Sequence, residues 1–163
     1  MTNLVIREAE SKDHDGIVQI FDSHKHRGEE NWDKDAAKLY FDEFFKNKNT
    51  SQDKVFVGTV DDNIVSVIGY YPERSENVKD VFWVGWFYTH ETHGKKGYGK
   101  ALLNHVISEL KDKKARKLFV NTSSNDFYEP AVSLYLRMGF KQEGTLEDFY
   151  EKGESRLIFG MNL

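Results

Sequence analysis

Hydrophobic positions recur with two different periods along this chain, and the periods predict where strands and helices lie. Runs rich in Val, Ile and aromatic residues, typical of strands, occupy residues 4–9, 54–60, 63–71, 81–89 and 117–122, and two more follow in residues 140–163, joined near Lys152-Gly153. Apolar residues at helical spacing mark residues 11–21, 33–46, 102–110 and 129–138. The predicted order is β-α-α-β-β-β-α-β-α-β-β.

Turn-forming and capping residues set the predicted ends of these elements. Ser11 is expected to cap the first helix, and residues 22–32 are expected to form a loop. Asp61-Asp62-Asn63 predicts a tight hairpin. Pro130 in the first turn and Gly139 after the last turn predict the limits of the final helix.

Together with these predicted elements, the composition indicates one folded α/β domain over residues 1–163. Hydrophobic residues make up 39% of the 163 residues and aromatic residues 14%, which is enough to build a core. The net charge of −4 argues against a general nucleic-acid binder, and no apolar run approaches a membrane span. There is no cysteine, so thiolate metal sites and a cysteine nucleophile are excluded. The amino terminus lacks a signal-peptide pattern, so we expect a cytoplasmic protein.

A glycine-rich stretch between the fourth strand and the next helix is the most informative motif. It contains Gly94, Lys95, Lys96, Gly97, Tyr98, Gly99 and Lys100, which we call the glycine loop. Backbone N–H groups at such a helix entrance, together with the positive end of the helix dipole, attract phosphate oxygens. Glycine permits close approach of the ligand, and the lysines add positive charge. The alternative is an ordinary helix entry with solvated lysines.

Two common nucleotide motifs fail here. Gly94 to Lys100 has the spacing of a mononucleotide P-loop, but Ala101 stands where a Ser or Thr hydroxyl would ligate magnesium. In the dinucleotide pattern, Leu102 stands where the third glycine belongs. A nucleotide hydrolase is therefore disfavoured.

The sequence resembles the GNAT N-acetyltransferase superfamily over nearly its whole length. Gly94 to Gly99 matches the two later glycines of the family's [QR]-x-x-G-x-[GA] loop, although Gly94 replaces the usual Gln or Arg. Ile6-Arg7-Glu8-Ala9 with Asp13 is similar to the family's opening. Residues 131–140, Ala-x-x-Leu-Tyr-x-x-x-Gly-Phe, are similar to its second coenzyme A element.

The resemblance implies a mixed α/β fold with a splayed central sheet of about seven strands and four flanking helices. It implies acetyl-CoA as co-substrate and no metal. The backbone of Phe87, Tyr88 and Thr89 would meet the acetyl group, and the glycine loop would hold the pyrophosphate. Asn125 would bind the pantetheine arm, although spacing back from Tyr135 puts Tyr128 at the family's usual asparagine position. An insertion after the fifth strand would reconcile the two placements.

Direct attack of an amine on the thioester is the mechanism that the residues favour, since the chain lacks cysteine and a G-x-S-x-G elbow. Tyr135, which matches the family's tyrosine, is the predicted acid for the leaving thiolate, because a phenol with an ordinary pKa of about 10 stays protonated near neutral pH. The alternative is a tyrosine that only packs on the sheet. The general base stays open. The carboxylates considered for it, each also expected as an ordinary solvated charge, are Glu91, Asp126 and Glu129.

Charged and histidine-rich segments offer further candidates. Candidates for an acceptor site lie before and within the second helix (Glu29, Glu30, Asp33 and Asp35) and in the last hairpin (Asp148, Tyr150 and Glu151), and the acidic groups among them would suit a cationic amine. A charged helix entry explains the first four equally well. His24-x-His26 and His90-x-x-His93 are expected to be surface histidines and not metal pairs.

The leading hypothesis is an enzyme that acetylates an amine of a small molecule or peptide. The main alternative is a non-catalytic module of the same fold that senses acyl-coenzyme A. We expect neither a nucleic-acid nor a membrane partner, and pairing of exposed strands is compatible with a homodimer.

Overall fold

A computed structural model describes residues 3–24 and 32–163 of the chain. Eleven helices and strands follow in the predicted order. They are β1 (Val5–Glu8), α1 (His14–Ser23), α2 (Trp32–Lys46), β2 (Lys54–Val60), β3 (Asn63–Pro72), β4 (Val81–Thr89), α3 (Tyr98–Asp112), β5 (Lys117–Ser123), α4 (Glu129–Arg137), β6 (Lys141–Glu151) and β7 (Glu154–Asn162). None of the described helices is long and apolar enough to cross a bilayer.

The seven strands form one sheet in the order β1-β2-β3-β4-β5-β7-β6. Neighbouring strands β1–β2, β2–β3, β5–β7 and β6–β7 are antiparallel. Strand β4 runs parallel to β5 in a register that joins Val81–Trp83 to Lys117–Phe119. The mixed α/β architecture of seven strands and four helices predicted from the sequence is confirmed. The splaying of the sheet between β4 and β5 stays a prediction.

Two compact units make up the chain, and strand β4 contributes to both. The first unit contains Met1–Tyr71 and Gly85–Val106. Its core forms because alternate residues of β2, such as Val55 and Val57, point to the same face, where the apolar sides of α1 and α2 cover them. Fully buried members of this cluster include Ile17, Ile20, Phe21, Ala37 and Phe41.

The second unit contains Pro72–Val84 and Ile107–Leu163. Leu118, Val120 and Phe159 are buried on one face of its strands. Pro130 lies in the first turn of α4, as predicted. Gly139 follows the helix with φ +94°, a conformation that glycine adopts without strain.

The start of the first helix differs from the prediction. Residues Ser11–Asp13 form a 3-10 turn, and α1 begins only at His14. Asp13, not Ser11, satisfies the turn, because its carboxylate accepts the Glu10 N–H at 2.8 Å. The loop predicted from residue 22 was also placed too early, since α1 continues to Ser23.

Candidate functional site

The glycine loop connects a short 3-10 turn, Glu91–His93, to the first turn of α3 in the first unit. Lys95 has φ +61° and Gly97 has φ +83°, so two left-handed residues flank Lys96. Within the described part of the chain, the backbone N–H groups of residues 95–100 donate to no protein atom. Successive free N–H groups in such a conformation form a concave donor surface for an anion.

Charge at this helix entrance favours an anion as well. The first turn of α3 contains no acidic residue, and the α-helix places a partial positive charge there. Lys95, Lys96 and Lys100 are exposed around it. Gly94 contributes no side chain, so the donors present are the backbone N–H groups and the three ammonium groups. They fit a diphosphate.

The carboxyl end of β4 packs against the same helix entrance. A Cβ atom added to Gly99 would lie 3.4 Å from the Phe87 ring and 3.6 Å from Thr89 Oγ1. The structure therefore brings the predicted acetyl-binding segment, Phe87 to Thr89, next to the glycine loop.

Trp86, just before this strand end, has an unusual backbone. Its φ is +51°, which is rare for a bulky residue and costs conformational energy. The indole ring is held by Phe21, Tyr40 and Phe41, with ring centroids 5.2–5.9 Å away. Such strain is found where a binding site constrains the chain, and no feature of the sequence indicated it.

Helices α1 and α2 contact the end of β4 through polar side chains. His24 Nε2 lies 2.8 Å from the Thr89 carbonyl oxygen, and the Ser23 hydroxyl accepts the Glu91 N–H at 3.0 Å. The Tyr88 hydroxyl donates to Asp33 at 2.8 Å. Of the residues considered for an acceptor site, Asp33 is placed at the strand end by this hydrogen bond, and Glu29 and Glu30 lie outside the described residues.

Asn125 lies in the second unit, in the connection between β5 and α4. A 3-10 turn, Asp126–Tyr128, occupies this connection, and the insertion stays a prediction. The Asn125 side-chain oxygen accepts the Phe127 N–H at 3.0 Å, and the Asn125 N–H donates to Ser123 Oγ at 2.9 Å. The buried Ser123 hydroxyl in turn donates to Glu154. These hydrogen bonds hold the exposed Asn125 side-chain amide so that its NH2 group is available as a donor.

Tyr135 lies on α4 and is only 4% exposed. Its ring contacts Phe140 and Phe159, with centroids 5.9 and 5.8 Å away. Burial raises the pKa of the Tyr135 hydroxyl well above its usual range. The side chain therefore stays protonated over the whole neutral range, and its ring also serves the packing of the second unit.

The remaining sequence candidates are surface groups or lie outside the site. Glu91, Asp126 and Glu129 are exposed, as are Asp35, Asp148, Tyr150 and Glu151. His90 and His93 both contact the Thr92 hydroxyl, and burial, with Lys96 and His90 nearby, lowers the pKa of His93. His26 is outside the described residues. Among the residues that the structure describes, no group of three His, Asp or Glu side chains is arranged to hold a metal ion.

Comparison with known sequences decides the family. The sequence profile of the acetyltransferase (GNAT) family matches residues 17–140. The chain belongs to this family. GNAT proteins transfer acyl groups from acyl-coenzyme A. None of the curated proteins matches this GNAT chain significantly.

Solved structures share the fold of this GNAT protein over its whole length. A GNAT-family protein from Desulfovibrio desulfuricans is 23% identical, with a TM-score of 0.87, covering 98% of this chain and 99% of its own. An N-acetyltransferase from Staphylococcus aureus Mu50 is 18% identical with a TM-score of 0.79, covering 99% of both chains. YncA from Salmonella typhimurium, solved with its cofactor acetyl-CoA, is 16% identical with a TM-score of 0.75, covering 98% of this chain and 94% of its own. At these sequence identities the similarity to the solved structures shows a shared fold and nothing more.

Proposed function

We propose that this protein transfers an acetyl group from acetyl-CoA to an amine of a small molecule or peptide. The observation that carries the proposal is the row of backbone N–H groups in residues 95–100, which donate to no protein atom in the described chain and lie beside the end of β4. A diphosphate accepts such donors, and coenzyme A is the diphosphate ligand of the family.

The end of β4 supplies the surroundings of the reacting carbonyl. When bound, acetyl-CoA supplies an activated thioester carbonyl. The backbone N–H groups near Tyr88 and Thr89 are the donors that would stabilise negative charge on its oxygen, as preorganised amides do in acyl transfer. The chain has no cysteine, so we propose direct attack by the amine without an acyl-enzyme.

Asn125 is the proposed ligand of the pantetheine arm. Its side-chain oxygen is already used by the Phe127 N–H, so the amide can only donate from its NH2 group. An amide carbonyl of the arm is the matching acceptor. This orientation supports Asn125 over Tyr128 for the role.

Tyr135 is the proposed proton donor to the leaving thiolate. Burial raises the pKa of its hydroxyl, so the proton is present at any neutral pH. The raised pKa also makes the phenol a reluctant donor in the free protein. Transfer therefore depends on the strongly basic thiolate that forms as the carbon–sulfur bond breaks.

Release of free thiol from acetyl-CoA, measured across a panel of primary amines, tests the proposed function. We expect turnover with at least one amine, and a roughly 100-fold loss in kcat for Tyr135→Phe. Acetyl-CoA affinity should stay within about twofold, because the phenyl ring keeps the contacts with Phe140 and Phe159. Binding of acetyl-CoA with no turnover on any amine would instead support the sensing module. Full activity of Tyr135→Phe would remove Tyr135 as the acid.

A further inference from the structure

Tyr98 differs from the other residues of the glycine loop because its side chain is buried. It is only 5% exposed, whereas the three lysines of the loop are exposed. Tyr98 is also the first residue of α3, where the Ala101 N–H donates to the Gly97 carbonyl at 3.0 Å. The backbone N–H of Tyr98 thus belongs to the proposed diphosphate site, while its ring packs inside the protein.

The Tyr98 ring packs against the hairpin formed by β2 and β3. It belongs to a buried cluster with Val60, the last residue of β2, and Val65 of β3. The backbone just after β4 is attached to the same hairpin, since the His90 N–H donates to the Val65 carbonyl at 2.8 Å. Residues 91–97 are therefore held between two attachment points, and both of them are at Val65.

Leu102 extends this attachment along α3. It follows Tyr98 by four residues, so the two side chains lie on the same face of the helix. Leu102 is fully buried, and a Cβ atom added to Gly58 of β2 would lie 2.9 Å from its Cδ1 atom. The start of α3 is thus fixed on the hairpin by two successive buried side chains, of which Tyr98 is the one inside the glycine loop.

The ring of Tyr98, and not its hydroxyl group, makes this attachment. The hydroxyl oxygen is buried and has no hydrogen-bond partner among the residues that the structure describes. A buried hydroxyl group without a partner costs stability, whereas an apolar group of the same shape does not. Phenylalanine at this position would therefore keep the packing that tyrosine provides.

We propose that Tyr98 is a positioning residue whose buried ring holds the glycine loop in the conformation that presents the N–H groups of residues 95–100 to a diphosphate. The inference rests on the proposed function. A loop that loses this attachment gains other conformations, and only a fraction of the molecules is then competent to bind. The apparent affinity falls in proportion to that fraction.

Tyr98→Leu tests the role of the ring, because leucine removes the ring and leaves an apolar side chain that stays buried. We expect the dissociation constant for acetyl-CoA, measured by calorimetry, to rise roughly tenfold, as it does when about a tenth of the molecules keep the competent loop. Should Tyr98→Leu fail to fold, Tyr98→Met gives the same comparison with a longer and more adaptable side chain.

Phe44→Leu is the matched control. Phe44 is also a helical aromatic residue of the first unit and is 5% exposed, but it packs against the rings of Tyr40 and Phe45 in α2. Thermal unfolding should give Tyr98→Leu and Phe44→Leu a similar loss in Tm. Only Tyr98→Leu should bind acetyl-CoA more weakly than wild type.

Tyr98→Phe and steady-state kinetics separate positioning from a general loss of stability. Tyr98→Phe keeps the ring, so it should have wild-type affinity and a Tm no lower than that of wild type. With an amine that the wild-type protein acetylates, Tyr98→Leu should raise KM for acetyl-CoA roughly tenfold and keep kcat within about twofold, because saturating acetyl-CoA selects the competent loop.

Three results would overturn the role given to Tyr98. They are wild-type affinity in Tyr98→Leu, an equal loss of affinity in Phe44→Leu, and an equal loss of affinity in Tyr98→Phe. Each of them leaves acetyl-CoA binding by the wild-type protein intact. A wild-type protein that binds no acetyl-CoA would instead contradict the proposed function and this inference together.

Discussion

Asp13 illustrates how much of the fold depends on one buried carboxylate. It is 3% exposed and accepts hydrogen bonds from two Arg7 nitrogens at 2.6 and 2.8 Å and from the Glu10 N–H at 2.8 Å. Burial alone raises the pKa of Asp13, but the bonds from Arg7 and Glu10 outweigh burial and leave the pKa below its usual value. These residues of the family-like opening thus join β1 to the turn before α1.

Asp13→Asn should destabilise the protein by about 2–3 kcal/mol at pH 7, because Arg7 loses its ionic partner. Since the pKa of Asp13 is lower in the folded state, its contribution is complete above the unfolded pKa of about 4 and is lost as pH falls through the lower folded value. Urea unfolding at several pH values checks this. Between about pH 5 and pH 3, a range centred on that ordinary pKa, the Asn variant should lose less stability than wild type.

Asp80→Asn is the control for this prediction. Asp80 also binds an arginine, since its carboxylate accepts from Arg116 at 3.0 and 3.2 Å, but this pair is exposed. Exposed ion pairs add little, so the loss should be much smaller than for Asp13. Equal losses of stability in Asp13→Asn and Asp80→Asn would contradict the larger contribution expected from the buried ion pair.

At the scale of elements, the entrance to α3 is the feature to which we assign acetyl-CoA binding. Gly97 has φ +83° and no atom within 4 Å of an added Cβ, and Gly153 in the β6–β7 turn has φ +87° and the same free space. An alanine at either position is therefore strained by its backbone and not by a clash. The two glycines form a matched pair that differs in location only.

Gly97→Ala and Gly153→Ala should each lose about 1 kcal/mol of stability, the cost of a left-handed non-glycine residue. Only Gly97→Ala should weaken acetyl-CoA binding, by roughly tenfold, because relief of strain moves the loop N–H groups. Calorimetric titration with acetyl-CoA, together with thermal unfolding, checks both effects. Equal affinity in the two variants would mean that the glycine loop does not hold the ligand.

Local sequence patterns predicted most elements, because periodicity and turn residues act over short distances. The bounds of β4 agree with the prediction, and the Asp61-Asp62 turn has the positive φ values that a tight hairpin needs. Ser11 was misassigned because a 3-10 turn precedes the helix and Asp13 satisfies it. The glycines and lysines of the glycine loop predicted an anion site from the sequence, and this site stays a prediction.

Contacts between distant residues could not be predicted in the same way. His24 and Thr89 are 65 residues apart, and nothing in the His-x-His spacing indicates which carbonyl the imidazole meets. The positive φ of Trp86 depends on rings contributed by α1 and α2. Such features need the assembled first unit, so they became visible only in the structure.

At the scale of the whole molecule, the comparisons show the family and the fold, and neither of these identifies the acceptor substrate. The family profile and the fold of the related structures cover most of the chain, but identities of 16–23% leave the acceptor-side residues free to differ. A single domain over residues 1–163, a cytoplasmic location and a homodimer stay predictions from the sequence. The central claim about the whole molecule is that the entrance to α3 binds the diphosphate of acetyl-CoA.

A crystal structure of the protein with acetyl-CoA tests this claim most directly. We expect the backbone N–H groups of residues 95–100 within about 3 Å of the diphosphate oxygens. We also expect the thioester carbonyl beside Phe87 to Thr89. A well-ordered ligand whose diphosphate lies elsewhere, with these N–H groups left to solvent, would contradict the account.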